Sequence, residues 1–363
     1  MIPLFKVHVP PNIGIAIQNV FEEGVVTEGN YSDKFENEFS DLVSNKYSSL
    51  LNSGTSALTL AYRMSDVGPD TEIITTPMTC MATNEPAHIM GSKIVFADID
   101  PETGNIDPVS VKRLLTKKTR AVVGVHWAGQ PYDIDAVNTI VKDYSEKIKT
   151  IEDAAHALGA NYNGRPIGSH SDYVCFSFQA IKHLTTVDGG AICSLTKEDD
   201  NRIKKLRWFG LDRKYQGSKW EQDIVESGYK FHMNNVNASI GLEQMKYIDN
   251  IIKAHKKNGK LFDENIDNPK IKKLRRDAKS ESSTWIYTLL VEDRNKFKDY
   301  LQSNGIAADV VHVRNDKYTV FKDFKRDDLP GADYFCSRMI NIPVGWWLSN
   351  SDIEKIISVV NDY

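Results

Sequence analysis

The residue with the clearest capacity for covalent chemistry is Lys182, which lies between an apolar strand and a paired-glycine turn. Its segment runs Cys175-Phe176-Ser177-Phe178-Gln179-Ala180-Ile181-Lys182-His183-Leu184-Thr185-Thr186-Val187-Asp188-Gly189-Gly190. Burial in such a loop lowers a lysine's pKa, and the neutral amine can then add to a carbonyl as a Schiff base. Ser177 upstream can hold a phosphate, and Thr185 and Thr186 follow downstream. Taken alone, Lys182 reads more readily as a solvent-exposed tether, the usual situation of lysine.

Two further segments supply complementary chemistry. Asn52-Ser53-Gly54-Thr55-Ser56-Ala57 is a small, glycine-containing turn that opens a helix. Its backbone N–H groups and the helix dipole suit a phosphate, although an ordinary capped helix start has the same composition. In Ile151-Glu152-Asp153-Ala154-Ala155-His156-Ala157, a carboxylate ends an apolar strand. Asp153 there needs a partner. A protonated pyridine nitrogen would serve and would make that ring an electron sink, while capping of a following helix is the alternative.

These segments need a scaffold that gathers strand ends. Short apolar runs at 48–52, 72–76, 93–98, 120–126, 150–152, 173–177 and 190–194 alternate with helical stretches at 55–64, 81–90, 109–115 and 134–147. Val- and Ile-rich strands separated by single helices predict βαβ units, a doubly wound α/β sheet, and ligands at the carboxyl ends of its strands. Residues 1–240 are read as a large cofactor-binding domain and 241–363 as a smaller α/β domain. A single amphipathic helix at about 240–261 is expected to link them. Beyond it the sequence predicts a strand at 285–291, a helix at 295–304, a strand at 309–313 and a helix at 351–363 capped by Ser351.

The bulk composition excludes several classes. The chain has 363 residues, 41% of them hydrophobic, and a formal net charge of -4, so no basic surplus argues for nucleic acid or an anionic membrane. Its four cysteines (Cys80, Cys175, Cys193, Cys336) form no CxxC pair, and no metal site is read from the sequence. Nothing at the N-terminus reads as a signal peptide, and no apolar run approaches the ~20 residues that span a bilayer. A cytoplasmic location with free thiols is expected. A dehydrogenase-type nucleotide fold would want GxGxxG after an early strand, and 51–57 lacks it.

Taken together, NSGTSAL, EDAAHALGA, FSFQAIKHLTTVDGG and GYKFHMNNVNASIGLEQM resemble the DegT/DnrJ/EryC1/StrS family of sugar aminotransferases, in family order and with family-like spacing. The likeness runs from EGVVTEG (23–29) to Ile342-Pro343-Val344. It implies a fold-type I enzyme dependent on pyridoxal 5'-phosphate, with pyridoxamine 5'-phosphate as the alternate form. Lys182 would be the Schiff-base lysine and proton shuttle, Asp153 the partner of the ring nitrogen, and His156 a contact of the 3-oxygen. Gly54, Thr55 and Ser177 would hold the phosphate, and Cys80 stands where many relatives set an aromatic ring against the cofactor.

The resemblance also implies a homodimer with shared sites, in which the neighbour's segment around 230–237 reaches the phosphate. His232 replaces the Arg or Asn of many relatives, so that contact would fall to Lys230 or Asn235. The turn usually written Gly-Glu-Gly-Gly reads Val187-Asp188-Gly189-Gly190. The implied reaction moves an amino group from L-glutamate or L-glutamine to a nucleotide-linked 4-keto-6-deoxy sugar, for surface polysaccharide or a glycosylated product. Arg207, Arg213, Lys214, Lys219 and Arg314 are candidate cations for the nucleotide sugar. Trp208, Trp220 and the Trp346-Trp347 pair are candidate stacking rings, and His126 is placed at a strand end facing the site. His183 keeps open a sugar 3-dehydratase, since a subset of the family has His at the Schiff-base position. A non-catalytic homologue would be expected to lose Lys182 or Asp153, and this chain keeps both.

Overall fold

The computed structural model of the chain describes residues 1–213, 215–218 and 221–363. Strands β1 (Ser48–Leu51), β2 (Glu72–Thr75), β3 (Lys93–Phe96), β4 (Thr119–Val125) and β5 (Lys149–Asp153) come first in the chain. The short β6 (Asn161–Tyr162) and β7 (Arg165–Pro166) follow, then β8 (Tyr173–Ser177) and β9 (Gly190–Ser194). Seven of them form one sheet in the order β1-β9-β8-β5-β4-β2-β3. β8, β5, β4, β2 and β3 are parallel neighbours, whereas β9 runs antiparallel to both β8 and β1.

Alternation along each strand divides the apolar residues between two cores. Ile73, Ala121, Val123 and Ile151 face one core, with Leu58 and Ala61 of the covering helix, while Ile74, Val122, Val174 and Phe176 face the other. Each large aliphatic or aromatic side chain buried this way contributes about 1.5–3 kcal/mol. The same alternation puts Asp153 on the face of Ile151 and sends Glu152 to the opposite face. In register, Val125 lies beside Asp153, Asp153 beside Cys175, and Ser177 beside Gly190. The candidate residues therefore gather at one end of the sheet.

The helices around this sheet are α1 (Ile13–Glu23), α2 (Asn30–Leu42), α3 (Gly54–Met64), α4 (Met81–Ile89), α5 (Pro108–Leu114), α6 (Ile134–Tyr144) and α7 (Lys197–Leu206). The expected single linking helix is two helices, α8 (Asn235–Met245) and α9 (Ile248–Asn265). In α9 the buried Ile248, Ile251, Ile252, His255, Gly259 and Phe262 form one stripe. In α8 buried residues occur on several sides, because it packs on both α1 and α2. One straight helix could not serve both surfaces, and the chain bends at Lys246-Tyr247.

A second sheet, ordered β10 (Ile271–Lys273), β12 (Tyr287–Val291), β13 (Met339–Ile342), carries a separate core that includes Phe262, Leu289, Phe297, Ile340 and Ile356. β11 (Ser280–Glu281) pairs instead with β6, and Ile2 bridges to Ile306. α10 (Arg294–Ser303), α11 (Pro330–Arg338) and α12 (Asn350–Asn361) complete the chain. The expected strand at 309–313 is a single bridge, Asp309 to Asn341, since the Asn341 side chain takes the Val311 N–H at 3.1 Å. The last helix is capped by Ser349 rather than Ser351, and the Ser349 Oγ accepts the Asp352 N–H at 3.1 Å. Among the described residues no helix is long and apolar enough to cross a membrane.

Candidate active site

A cavity of about 320 Å³ opens where β5, β8 and the start of α3 converge. Ser53 caps α3 by accepting the Ser56 N–H at 3.0 Å. The next N–H groups, of Gly54 and Thr55, have no partner further up the helix and are available to an anion. Gly54, Thr55 and Ser177 all line the cavity. Two glycines permit this closure. A Cβ on Gly54 would come within 2.8 Å of the Ser177 Cβ, and one on Gly190 within 2.5 Å of the Ser53 carbonyl carbon.

Lys182, Asp153, His156 and Cys80 line the same cavity, joined by Trp285 and His312. The Lys182 ammonium rests 3.9 Å from the centre of the Trp285 ring. Trp285 donates its indole N–H to the Ile181 carbonyl at 2.9 Å, which fixes the backbone just before the lysine. His156 also stacks on Trp285, with ring centres 3.9 Å apart and planes 13° from parallel. Its Nε2 lies 3.4 Å from His312 Nε2, and its Nδ1 is buried with no hydrogen-bond partner among the described residues. Burial, with the nearby Lys182 charge, holds the His156 pKa well below its ordinary value and pushes His312 down to about 3. Both rings are neutral near pH 7. Burial likewise pushes the Lys182 amine down to about 8, against the opposing pull of Asp153 and Cys80.

Several sequence-derived candidates lie elsewhere. His183 is 5% exposed, sets its ring against His255 at 4.4 Å and does not line the cavity, so the lysine and not its neighbour occupies the site. Arg314 is neutralised by Asp316 at 2.6 Å and by Asp333. Arg207 is neutralised by Glu28 and Glu36, both at 2.7 Å. Neither is free to meet a substrate phosphate. Arg213 is exposed, pairs with Glu28 at 3.1 Å and stays outside the cavity. Asn235 is also removed from it, because its Oδ1 takes the Ser32 N–H and its Nδ2 bonds the Val25 carbonyl, pinning the segment before α2.

His126 points to the opposite sheet face, where it bonds Glu152 at 2.9 Å and stacks on Tyr132. Trp346 and Trp347 hold the N-terminal residues, through His8 and the Pro3 carbonyl respectively. Trp208 carries Arg213 and Lys230 on its ring. Lys214, Lys219 and Trp220 lie outside the described residues. Nothing in the sequence marks Trp285 and His312 as lining this cavity, and Trp285 reads there only as the start of a strand.

With this geometry in view, comparison with known proteins is decisive. The model of the DegT/DnrJ/EryC1/StrS aminotransferase family matches residues 12–361. The chain belongs to that family. Its fold superposes on AtS13 from Actinomadura melliaura with a TM-score of 0.96 at 35% identity, covering 100% of this chain and 99% of that one. The sugar aminotransferase CalS13 from Micromonospora echinospora gives 0.96 at 32% identity, covering 100% of both chains. A Campylobacter jejuni protein named UDP-4-amino-4,6-dideoxy-N-acetyl-beta-L-altrosamine transaminase is 30% identical, over 90% of this chain and 88% of its own.

Members of this family are pyridoxal-phosphate-dependent aminotransferases. The residues present fit that cofactor. There is a helix start for its phosphate, a carboxylate at the strand end for its ring nitrogen, a lysine for its aldehyde, and a buried histidine nitrogen still lacking a partner.

Proposed function

We propose that this chain moves an amino group from L-glutamate or L-glutamine to a nucleotide-linked keto-deoxy sugar, at C4, as a cytoplasmic homodimer with shared sites. The observation that carries the reading is the meeting of Lys182, Asp153 and His156 around one cavity at the start of α3. The name of the Campylobacter relative, a UDP-linked 4-amino sugar transaminase, supports both the nucleotide and the C4 position. The product serves surface polysaccharide or a glycosylated natural product.

Bound here, pyridoxal phosphate supplies an aldehyde that takes up the amino group and a ring that draws electrons from the reacting carbon. Ser177, Thr55 and the first N–H groups of α3 hold its phosphate. Asp153 would keep a proton on the ring nitrogen, and neutral His156 would contact the 3-oxygen. Cys80 would lie against the ring, with less area than an aromatic would offer. The Nζ of Lys182 removes the proton from the amino-bearing carbon of the donor and delivers one to the matching carbon of the sugar. Trp285 and His312 keep water from that proton.

Lys182 is the sole lysine or arginine lining the cavity among the described residues. Lys230 lies outside its own chain's cavity, with its ammonium 4.3 Å from the Trp208 ring. In the proposed dimer it would reach the phosphate held by the neighbouring subunit.

The lowered lysine pKa has a kinetic consequence. In cofactor-free protein, the rate of pyridoxal phosphate capture, followed by absorbance, should rise about tenfold per pH unit to pH about 8 and then level off. A rise continuing toward pH about 10 would mean an amine in water. The sign for stability is the same. Between those limits the unfolded chain keeps a proton that the folded chain has released, so stability increases with pH.

The functional test is a two-stage absorption experiment on the loaded enzyme. L-Glutamate or L-glutamine should shift the band to the shorter wavelength of the pyridoxamine form. A nucleotide-linked 4-keto-6-deoxyhexose should then restore it and appear as the 4-amino sugar by mass spectrometry and NMR. Restoration by a 3-keto isomer alone would move the amine to C3. Loss of the sugar's 3-hydroxyl without amination would instead make the enzyme a dehydratase.

A further inference from the structure

Asp153 is gripped by two donors that arrive from separate parts of the chain. Its Oδ1 accepts the Ala155 N–H at 3.1 Å, and its Oδ2 accepts the Thr83 hydroxyl at 2.6 Å. Thr83 sits in the first turn of α4 and is 0% exposed. Its hydroxyl has one proton, and an ionised carboxylate can only accept. The proton is therefore spent on Asp153. Thr79 Oγ1 lies 2.7 Å from Thr83 Oγ1, so at that contact Thr79 must donate. The direction is fixed from Thr79 to Thr83 to Asp153.

Both threonines are held at the backbone as well. The Thr83 carbonyl accepts the Tyr62 hydroxyl, and the Thr79 carbonyl accepts Asn315 Nδ2 at 2.8 Å. Asn315 is itself bonded by Asn84 at 2.8 Å and donates its N–H to the Pro77 carbonyl at 2.7 Å. The turn before α4 is thus tied to the segment that carries His312. Successive hydroxyl donors in a buried, low-dielectric site polarise one another and strengthen the last bond in the row.

We propose that Thr83, with Thr79 behind it, is the positioning residue that holds the Asp153 carboxylate turned into the cavity toward the cofactor's ring nitrogen. The proposal rests on the reading of Asp153 given above. Valine at position 83 keeps the shape and removes the donor, leaving Oδ2 without a partner in a buried place. The carboxylate then becomes more basic and draws the shared proton from the ring nitrogen. A less cationic ring binds more weakly to Asp153 and withdraws fewer electrons from the Lys182-bound aldehyde carbon.

The test compares Thr83→Val, Thr83→Ser and Asp153→Asn with the parent enzyme. The readouts are the pyridoxal phosphate dissociation constant and the pH titration of the bound cofactor's absorption band. Thr83→Val should weaken binding about tenfold and move the titration upward by about half a pH unit, while Thr83→Ser, which restores the donor, stays near the parent. Equal impairment in Val and Ser would reduce Thr83 to packing and overturn the proposal. So would a parent-like Thr83→Val alongside an impaired Asp153→Asn. If Asp153→Asn itself leaves both readouts unchanged, the ring-nitrogen reading of Asp153 fails instead, and the proposal with it. Should Thr83→Val not fold, Thr79→Val removes the donor behind Thr83. A smaller shift in the same direction is expected there, and none overturns the row of hydroxyls.

Discussion

Alanine in place of Lys182 should abolish the long-wavelength absorption band of the bound cofactor and lower turnover by at least about 10³-fold. Two losses combine in that figure. The covalent attachment goes, and so does the amine that moves the proton at the reacting carbon. Cofactor should still bind, because the start of α3, Ser177 and Asp153 are untouched, and the variant should take up pyridoxamine phosphate as well as the parent does. Steady-state rates, spectra and cofactor content measured on the same preparation separate these effects. Small primary amines should restore part of the rate by replacing the missing base, since the truncation leaves room beside Trp285. A Lys182→Ala enzyme retaining more than about a tenth of the parent turnover would remove this lysine from the chemistry.

The parts of this molecule legible in its sequence are those decided by near neighbours. Val- and Ile-rich runs gave the central strands almost to the residue, because strands covered on both faces need continuous apolar side chains. The apolar runs at 173–177 and 190–194 coincide with the observed limits of β8 and β9. Each site segment is likewise local: Asp153 ends β5, Lys182 follows β8, and Gly54 starts α3.

The cations were harder to read. A sequence marks Arg207 as charged but does not mark Glu28 and Glu36, which lie 179 and 171 residues away and neutralise it. Arg314 could have been set aside from the sequence, as its partner Asp316 stands two positions later. Thr83 gave one local hint, the hydroxyl of Thr79 four residues earlier, at the spacing of adjacent helix turns. Its contact with Asp153 spans 70 residues and needed the fold. Trp285 and His312 come from beyond α9, so their meeting with His156 depends on how the second sheet sits against the first. The bend between α8 and α9 is hidden in the sequence for a related reason. Two consecutive amphipathic helices that face different surfaces look like one when only the hydrophobic count is followed.

The proposed shared sites make a prediction that a self-contained subunit cannot meet. Lys230→Glu puts a carboxylate where a cation should approach the neighbour's cofactor phosphate, and like-charge repulsion adds to the lost bond. Cofactor affinity and activity should fall about 10²-fold. Lys182→Ala is inactive for a different reason. In a hybrid dimer, one site combines both defects, while the other takes its lysine 182 from the Lys230→Glu subunit and its lysine 230 from the Lys182→Ala subunit. That second site is intact. Random pairing makes half of the dimers hybrid, so co-expression should restore about a quarter of the parent activity from two nearly inactive chains. Differently tagged subunits, purified through both tags, should reach about half. Activity in the doubly tagged hybrid no greater than that of the Lys230→Glu parent would mean that each chain completes its own site, and Lys230 would then be a surface residue resting on Trp208.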